Sequence, residues 1–118
     1  MSAANEDRRQ EPRFATRGVL SFSIAGNEFQ SDIADLSLNG LKVSRPGGFN
    51  PVRGDRFRVA ITITGADRFL AEVMLVFIDD QQLGLEFYDM PPRDFGVLAG
   101  LIEHFRRAQT PRMPAASA

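Results

Sequence analysis

The stretch RFRVAITIT, residues 56–64, constrains the fold more than any other. Phe57, Val59, Ile61 and Ile63 fall on one side of it; Arg56, Arg58, Thr62 and Thr64 fall on the other. A period of two is the signature of a strand with one buried and one solvated face, the usual state of an antiparallel sheet. Shorter runs repeat the pattern. In LSFSI, Leu20, Phe22 and Ile24 oppose Ser21 and Ser23; LKVS pairs Leu41 with Val43; LGLEF groups Leu83, Leu85 and Phe87. The run FLAEVMLVFI, residues 69–78, is apolar on nearly both faces, as expected of a long strand that also meets something on its outside. Turn residues separate the runs: Gly26-Asn27, Asn39-Gly40, Pro46-Gly47-Gly48, Gly65-Ala66-Asp67 and Asp79-Asp80. Six short strands at this spacing predict an all-β barrel or sandwich.

One helix is expected after the strands. Asp89 and the Pro91-Pro92 pair form an entrance, and Phe95, Leu98, Ile102 and Phe105 recur at helical spacing. Gly96 and Gly100 weaken this helix by ~1 kcal/mol each relative to alanine. Their i, i+4 spacing is expected to let it lie close on the sheet. A length of 118 residues supplies one core rather than two. The tail TPRMPAASA is expected to be disordered.

Several function classes recede on composition. With no cysteine there is no disulfide framework, thiol nucleophile or cysteine metal site. The start MSAANEDRRQEPR lacks the apolar core of a secretory signal, and no run approaches the ~18 apolar residues of a membrane span. A cytoplasmic protein without membrane insertion is expected. A net charge of −1 gives no global field for nucleic acid. Catalysis is poorly supported, and the chain is expected not to be an enzyme. The single histidine, His104, sits in the predicted helix and reads as a partly exposed helix residue. Asp79 and Asp80 read as turn residues rather than an acid–base pair. No metal-ligand spacing, phosphate loop before a helix, or nucleophile elbow is present.

The cations are unusual in kind and placement. Of 14 lysines and arginines only Lys42 is a lysine, and Arg8, Arg9 and Arg13 cluster ahead of the first strand in RRQEPRF. Arg9 and Arg13 are four apart, so an extended backbone projects both to one side. Pro12 restrains that backbone and biases Glu11 toward an extended conformation. Further on, DLSLNG (residues 35–40) is expected to present Asp35 and Ser37 on one side of a strand. It ends in an Asn-Gly hairpin turn with positive φ at both residues. Gly40 leaves room for close approach to the backbone.

Arg9-Gln10-Glu11-Pro12-Arg13 followed by Asp35-Leu36-Ser37-Leu38-Asn39-Gly40 resembles the PilZ family, the bacterial receptor domains for cyclic di-GMP, which carry R-x-x-x-R and then [D/N]-x-S-x-x-G. RFATRGVLSFSI looks like the family's first strand and LGLEF like its late strand. The resemblance implies a six-stranded antiparallel β-barrel with one C-terminal helix. Residues 1–7 would be a flexible start and 8–108 the domain. Within it, 8–14 would be an arginine segment wrapping onto the ligand, 15–88 the barrel and 92–108 the helix; 109–118 would be the tail. It further implies a cyclic di-GMP site formed by Arg8, Arg9, Arg13, Asp35, Ser37 and Gly40. An arginine before the first motif implies two stacked ligands per chain, with Arg8 on an outer guanine. The chemistry is coherent: an arginine fork matches O6 and N7 of guanine, and charge-assisted bonds hold phosphates. Asp35 would accept from guanine N–H groups, Ser37 would bond a phosphate or base, and Gly40 would allow close approach. An unidentified protein partner is expected, in motility, pili, exopolysaccharide or transcription. A barrel that binds partners but little nucleotide is the alternative. A nucleic-acid-binding barrel is disfavoured by the net charge and the lack of an aromatic-rich strand.

Overall fold

The structure, a computed structural model, describes residues 12–109. It contains β1 (Phe14–Ala15), β2 (Gly18–Ile24), β3 (Asn27–Leu36), β4 (Gly40–Ser44), β5 (Arg56–Ile63), β6 (Phe69–Ile78), β7 (Gln82–Asp89) and α1 (Pro92–Gln109). All strand pairings are antiparallel. The sheet runs β1-β3-β2-β5-β6-β7-β4, and β3–β4 pairing closes it, so β2 to β7 form a six-stranded barrel with β1 as a seventh strand. Closure leaves no long edge for other chains to pair with. The alternating residues fill the barrel: Leu20, Leu41, Val43, Ile61, Phe69, Val73, Leu75, Leu83 and Leu85 are all buried. Each such side chain contributes ~1.5–3 kcal/mol relative to staying in water.

The expected first strand is two. It breaks at Thr16-Arg17, where the amide of Thr16 reaches the carbonyl of Ala34. Ala34 lies at an irregularity in β3. Ile33 pairs with Val43, Asp35 with Lys42 and Leu36 with Leu41, so an extra residue is accommodated between Ile33 and Asp35. A bulge of this kind shifts the side-chain alternation by one. Ile33 and Leu36 both enter the core, three apart rather than two, and Asp35 is left outside it.

The barrel ends are closed differently. At one, Phe49 from the β4–β5 loop packs with Phe22, Phe29 and Phe57 at ring-centroid distances of 4.9 to 5.6 Å. Arg45 holds that loop, donating to the carbonyls of Phe49 and Asp79 and to the Asn50 side chain. Elsewhere α1 sets Leu98 and Ile102 into the core, and Phe105 packs on Phe14 at 5.6 Å. Asp94, buried in the first turn, accepts from the Leu70 amide at 2.8 Å and ties the helix to β6. This contact partly meets the expectation that β6 has an outside neighbour.

Three expectations need correction. The Asn39-Gly40 turn does not have positive φ at either residue; the two-residue turn that does is Ala25-Gly26, with φ 51° and 84°. At residues 37–40 a side chain closes the turn instead, as described below. Gly96 and Gly100 do not bring the helix close to the sheet, because a Cβ at either would meet nothing within 4 Å. Phe95 does not join the helix's buried face either. It is 49% exposed, and Asp94, Leu98 and Ile102 form that face.

Candidate ligand-binding site

Two residues from the predicted motifs meet directly. The Arg13 guanidinium Nη2 donates to the Asp35 carboxylate Oδ1 at 2.7 Å. Local structure explains the meeting. Phe14 and Ala15 pair with Leu36 and Asp35, which sets the chain just before β1 beside the end of β3. Phe14 anchors it by burial against Phe105. The β3 bulge turns Asp35 outward, where simple alternation from Ile33 would have pointed it into the core. The two side chains remain 41% and 24% exposed, so the pair is open to solvent and to a competing anion.

Ser37 and Gly40 lie next to this pair but turn inward. Ser37 is fully buried. Its hydroxyl accepts from the amides of Asn39 (3.1 Å) and Gly40 (3.2 Å) and donates to the Gly40 carbonyl (3.3 Å), while the Ser37 amide donates to that carbonyl at 2.9 Å. The hydroxyl thus takes the Gly40 amide in place of the Ser37 carbonyl that would accept it in an ordinary hairpin, and neither central residue adopts a left-handed conformation. The Phe87 amide donates to the Asn39 carbonyl at 2.8 Å and pins the turn to β7. Gly40 is required by that docking. A Cβ there would stand far inside van der Waals distance of the Leu85 carbonyl oxygen, with the Glu86 Cα at 2.9 Å. What approaches the Gly40 backbone within the fold is β7. Asp35 and Ser37 therefore do not share one open side of a strand; the bulge and the turn send one outward and the other inward.

Arg8 and Arg9 lie outside the described residues, as do the expected flexible start (1–7) and residues 110–118 of the expected tail. Two grooves flank Ala60 on the outer face, one of about 410 Å³ over β2, β5 and β6 and one of about 590 Å³ over β2, β3 and β5. Neither is lined by Arg13, Asp35, Ser37 or Gly40. Asp79 proves to be a turn residue: its carboxylate accepts from the amides of Gln81 (2.8 Å) and Gln82 (2.7 Å). Those two bonds hold its carboxyl below the usual value, with lesser help from Lys42 and Arg45. His104 is exposed on α1. Among the described residues no group of three or more histidine, cysteine or carboxylate side chains could hold a metal, and no helix is long and apolar enough to cross a membrane.

Sequence reasoning passed over Lys42, the outward cross-strand neighbour of Asp35. The signal was present: Leu41 and Val43 point inward, so Lys42 between them points outward. The missing step was the bulge, readable in the three-residue interval from Ile33 to Leu36.

The fold has solved counterparts. Escherichia coli YcgR in complex with cyclic di-GMP is similar to this chain with a TM-score of 0.76 at 18% identity, over 92% of this chain and 50% of that one. The PilZ domain of the same protein with cyclic di-GMP gives 0.68 at 19% identity, over 94% of this chain and 99% of that one. The Bacillus subtilis inhibitor of motility (MotI/DgrA) gives 0.74 at 17% identity, over 87% of this chain and 53% of that one. The chain thus spans about half the length of whole YcgR and MotI. No curated protein matches the sequence. The sequence profile of the PilZ domain matches residues 7–104, from ahead of the arginine segment into the helix, and by that match the chain belongs to the PilZ domain family.

Proposed function

We propose that this chain is a cyclic di-GMP receptor whose site lies between the arginine segment, Arg8, Arg9 and Arg13, and the outer side of the residue 35–40 turn. The observation that carries the proposal is the 2.7 Å bond from Arg13 to Asp35, which joins the two family motifs at one exposed place on the barrel. Asp35 is open enough to accept from guanine N–H groups, and the arginine forks suit phosphate oxygens and the guanine edge. Ser37 and Gly40 act by holding the turn against β7. Arg8 stacks on an outer guanine, and two mutually stacked cyclic di-GMP molecules bind per chain. Binding fixes residues 8–14 against the barrel and so offers a changed surface to a protein partner.

Calorimetry with cyclic di-GMP, GMP and a short single-stranded oligonucleotide tests this. The receptor reading predicts saturable heat with cyclic di-GMP alone and a ratio of two ligands per chain. Arg8→Leu should lower that ratio toward one. A ratio of one for the wild type would reject the stacked pair. No heat with cyclic di-GMP would reject the receptor, and the chain would then be a PilZ barrel serving protein contacts alone.

A further inference from the structure

The two grooves beside Ala60 meet over a row of positions in direct register. Gln30 pairs with Ser21, Ser21 with Ala60, and Ala60 with Leu70, across β3, β2, β5 and β6. The row spans three strand intervals, about 14 Å. Alternation turns it outward: Leu20 and Phe22 beside Ser21, Val59 and Ile61 beside Ala60, and Phe69 and Ala71 beside Leu70 are all buried. Small side chains, Ser21 and Ala60, occupy the middle of the row and line both grooves. Ala60 is only 8% exposed although it lies on the outer face. Its methyl group is the floor of a channel, and Arg58, Arg68 and Leu70 stand around it as the walls.

The two ends of the channel differ in chemistry. The β3 end is polar, lined by Ser23, Glu28, Gln30 and Arg68. The β6 end combines an apolar wall with acid. Leu70, 48% exposed, and Pro91 line it together with Glu72, Asp89 and Arg58. Glu72 and Asp89 are register partners across β6 and β7, and like charges set directly opposite each other repel. Two carboxylates against one guanidinium leave the lining of that end negative. A cation brought in by a partner relieves the repulsion, and an apolar side chain beside it covers Leu70 and Pro91.

We propose that this channel docks an extended segment of a partner protein in which an apolar residue is followed by lysine or arginine. The apolar side chain lies over Ala60 against Leu70 and Pro91, and the cation lies on Glu72 and Asp89. A crossing of about 14 Å takes roughly four extended residues. The surface is separate from the ligand site, since none of Arg13, Asp35, Ser37 or Gly40 lines it, and the proposal does not depend on the receptor reading. Ala60→Leu fills the channel from its floor, and the groove of about 410 Å³ above that floor has room for the larger side chain. Glu72→Lys reverses the charge at the acidic end.

Titrate ¹⁵N-labelled wild type, Ala60→Leu and Glu72→Lys with the capped peptide acetyl-Gly-Leu-Lys-Gly-amide at millimolar concentration, and melt each variant to confirm that it is folded. Run the Leu-Glu and Ala-Lys counterparts of the peptide alongside. The channel predicts shifts of the Ser21, Ala60 and Leu70 amides with the Leu-Lys peptide, and weaker binding of both counterparts. It predicts roughly ten-fold weaker binding in Ala60→Leu and roughly five-fold weaker binding in Glu72→Lys. If Ala60→Leu does not fold, Glu72→Lys and the ranking of the peptides decide the matter. Unmoved Ser21, Ala60 and Leu70 amides, equal binding of the Leu-Glu peptide, or wild-type affinity in Glu72→Lys would overturn the proposal. Shifts of the same amides with protein concentration alone would give the channel to a second copy of this chain, which also overturns it. Ala60→Leu should keep wild-type affinity for cyclic di-GMP, so failure of the channel leaves the receptor reading intact.

Discussion

Arg13 and Asp35 form an exposed ion pair, and such pairs stabilise a fold by only ~0.2–1 kcal/mol. Arg13→Ala should therefore shift melting by no more than a few degrees. If Arg13 holds the ligand as proposed, the same change should remove charge-assisted bonds worth ~1.5–3 kcal/mol, or roughly ten- to a hundred-fold in affinity. Melting and calorimetry on one sample separate the two effects, and wild-type affinity in Arg13→Ala would remove Arg13 from the site. Gly40 behaves in the opposite way. The contact that forbids a side chain there is backbone on both sides, so neither partner can swing aside. Gly40→Ala should cost roughly 3 kcal/mol of stability, at the upper end of overpacking penalties. Urea unfolding checks this, and a midpoint equal to wild type would contradict the β4–β7 contact. Ser37→Ala is likewise not a neutral probe of ligand contact, because the hydroxyl holds three bonds within its own turn.

At the scale of elements, strand periodicity was legible wherever a strand alternates cleanly, as in β2 and β5. The course of β3 was not. Its outer face is polar, its inner face includes the buried Ser31, and its bulge breaks the period between Ile33 and Leu36. The pair Asp35 and Ser37 was visible in sequence, but their divergence was not, because it depends on that bulge and on a hydroxyl closing a turn. Asn-Gly at residues 39–40 pointed to a left-handed turn that the structure places at Ala25-Gly26. Ala25 carries strain there, since non-glycine residues rarely adopt φ near +51°. Ala25→Asn, matching the preferred Asn-Gly pair, should stabilise the β2–β3 hairpin by ~0.5–1 kcal/mol. That gain would appear as a melting point a few degrees higher; an unchanged or lower one would contradict the turn assignment. In α1, Gly96→Ala and Gly100→Ala should each add up to ~1 kcal/mol, because nothing obstructs the new methyl groups. A destabilised Gly96→Ala variant would show that the helix packs against something on that side.

Over the whole molecule, a closed barrel supplies a rigid outer surface, and the helix and the Phe49 loop help to enclose its core. The proposed site lies on the outside, where strand register and the β3 bulge bring Arg13 and Asp35 together at the end of β3. The barrel and closing helix could be read from alternation, turn residues and one 3.6-residue pattern. The joining of residues 13 and 35 could not be read from spacing alone. It arises because β1 pairs with the last residues of β3, the same residues that pair with β4 on the other side. This shared end brings the arginine segment, the 35–40 turn and Lys42 into one neighbourhood. The grooves beside Ala60 are lined by none of Arg13, Asp35, Lys42, Ser37 or Gly40, and they provide an internal control for any cyclic di-GMP binding experiment.

The central claim is that cyclic di-GMP lodges where Arg13 meets Asp35. A ¹⁵N-NMR titration tests it most directly, following backbone amides together with the Arg13 side-chain Nε–H. The account predicts that the largest shifts fall on residues 35–40 and on Arg13 Nε–H, with Ala60 and Leu70 in the outer groove unmoved. Shifts centred on Ala60 and Leu70, with residues 35–40 unchanged at saturation, would contradict it.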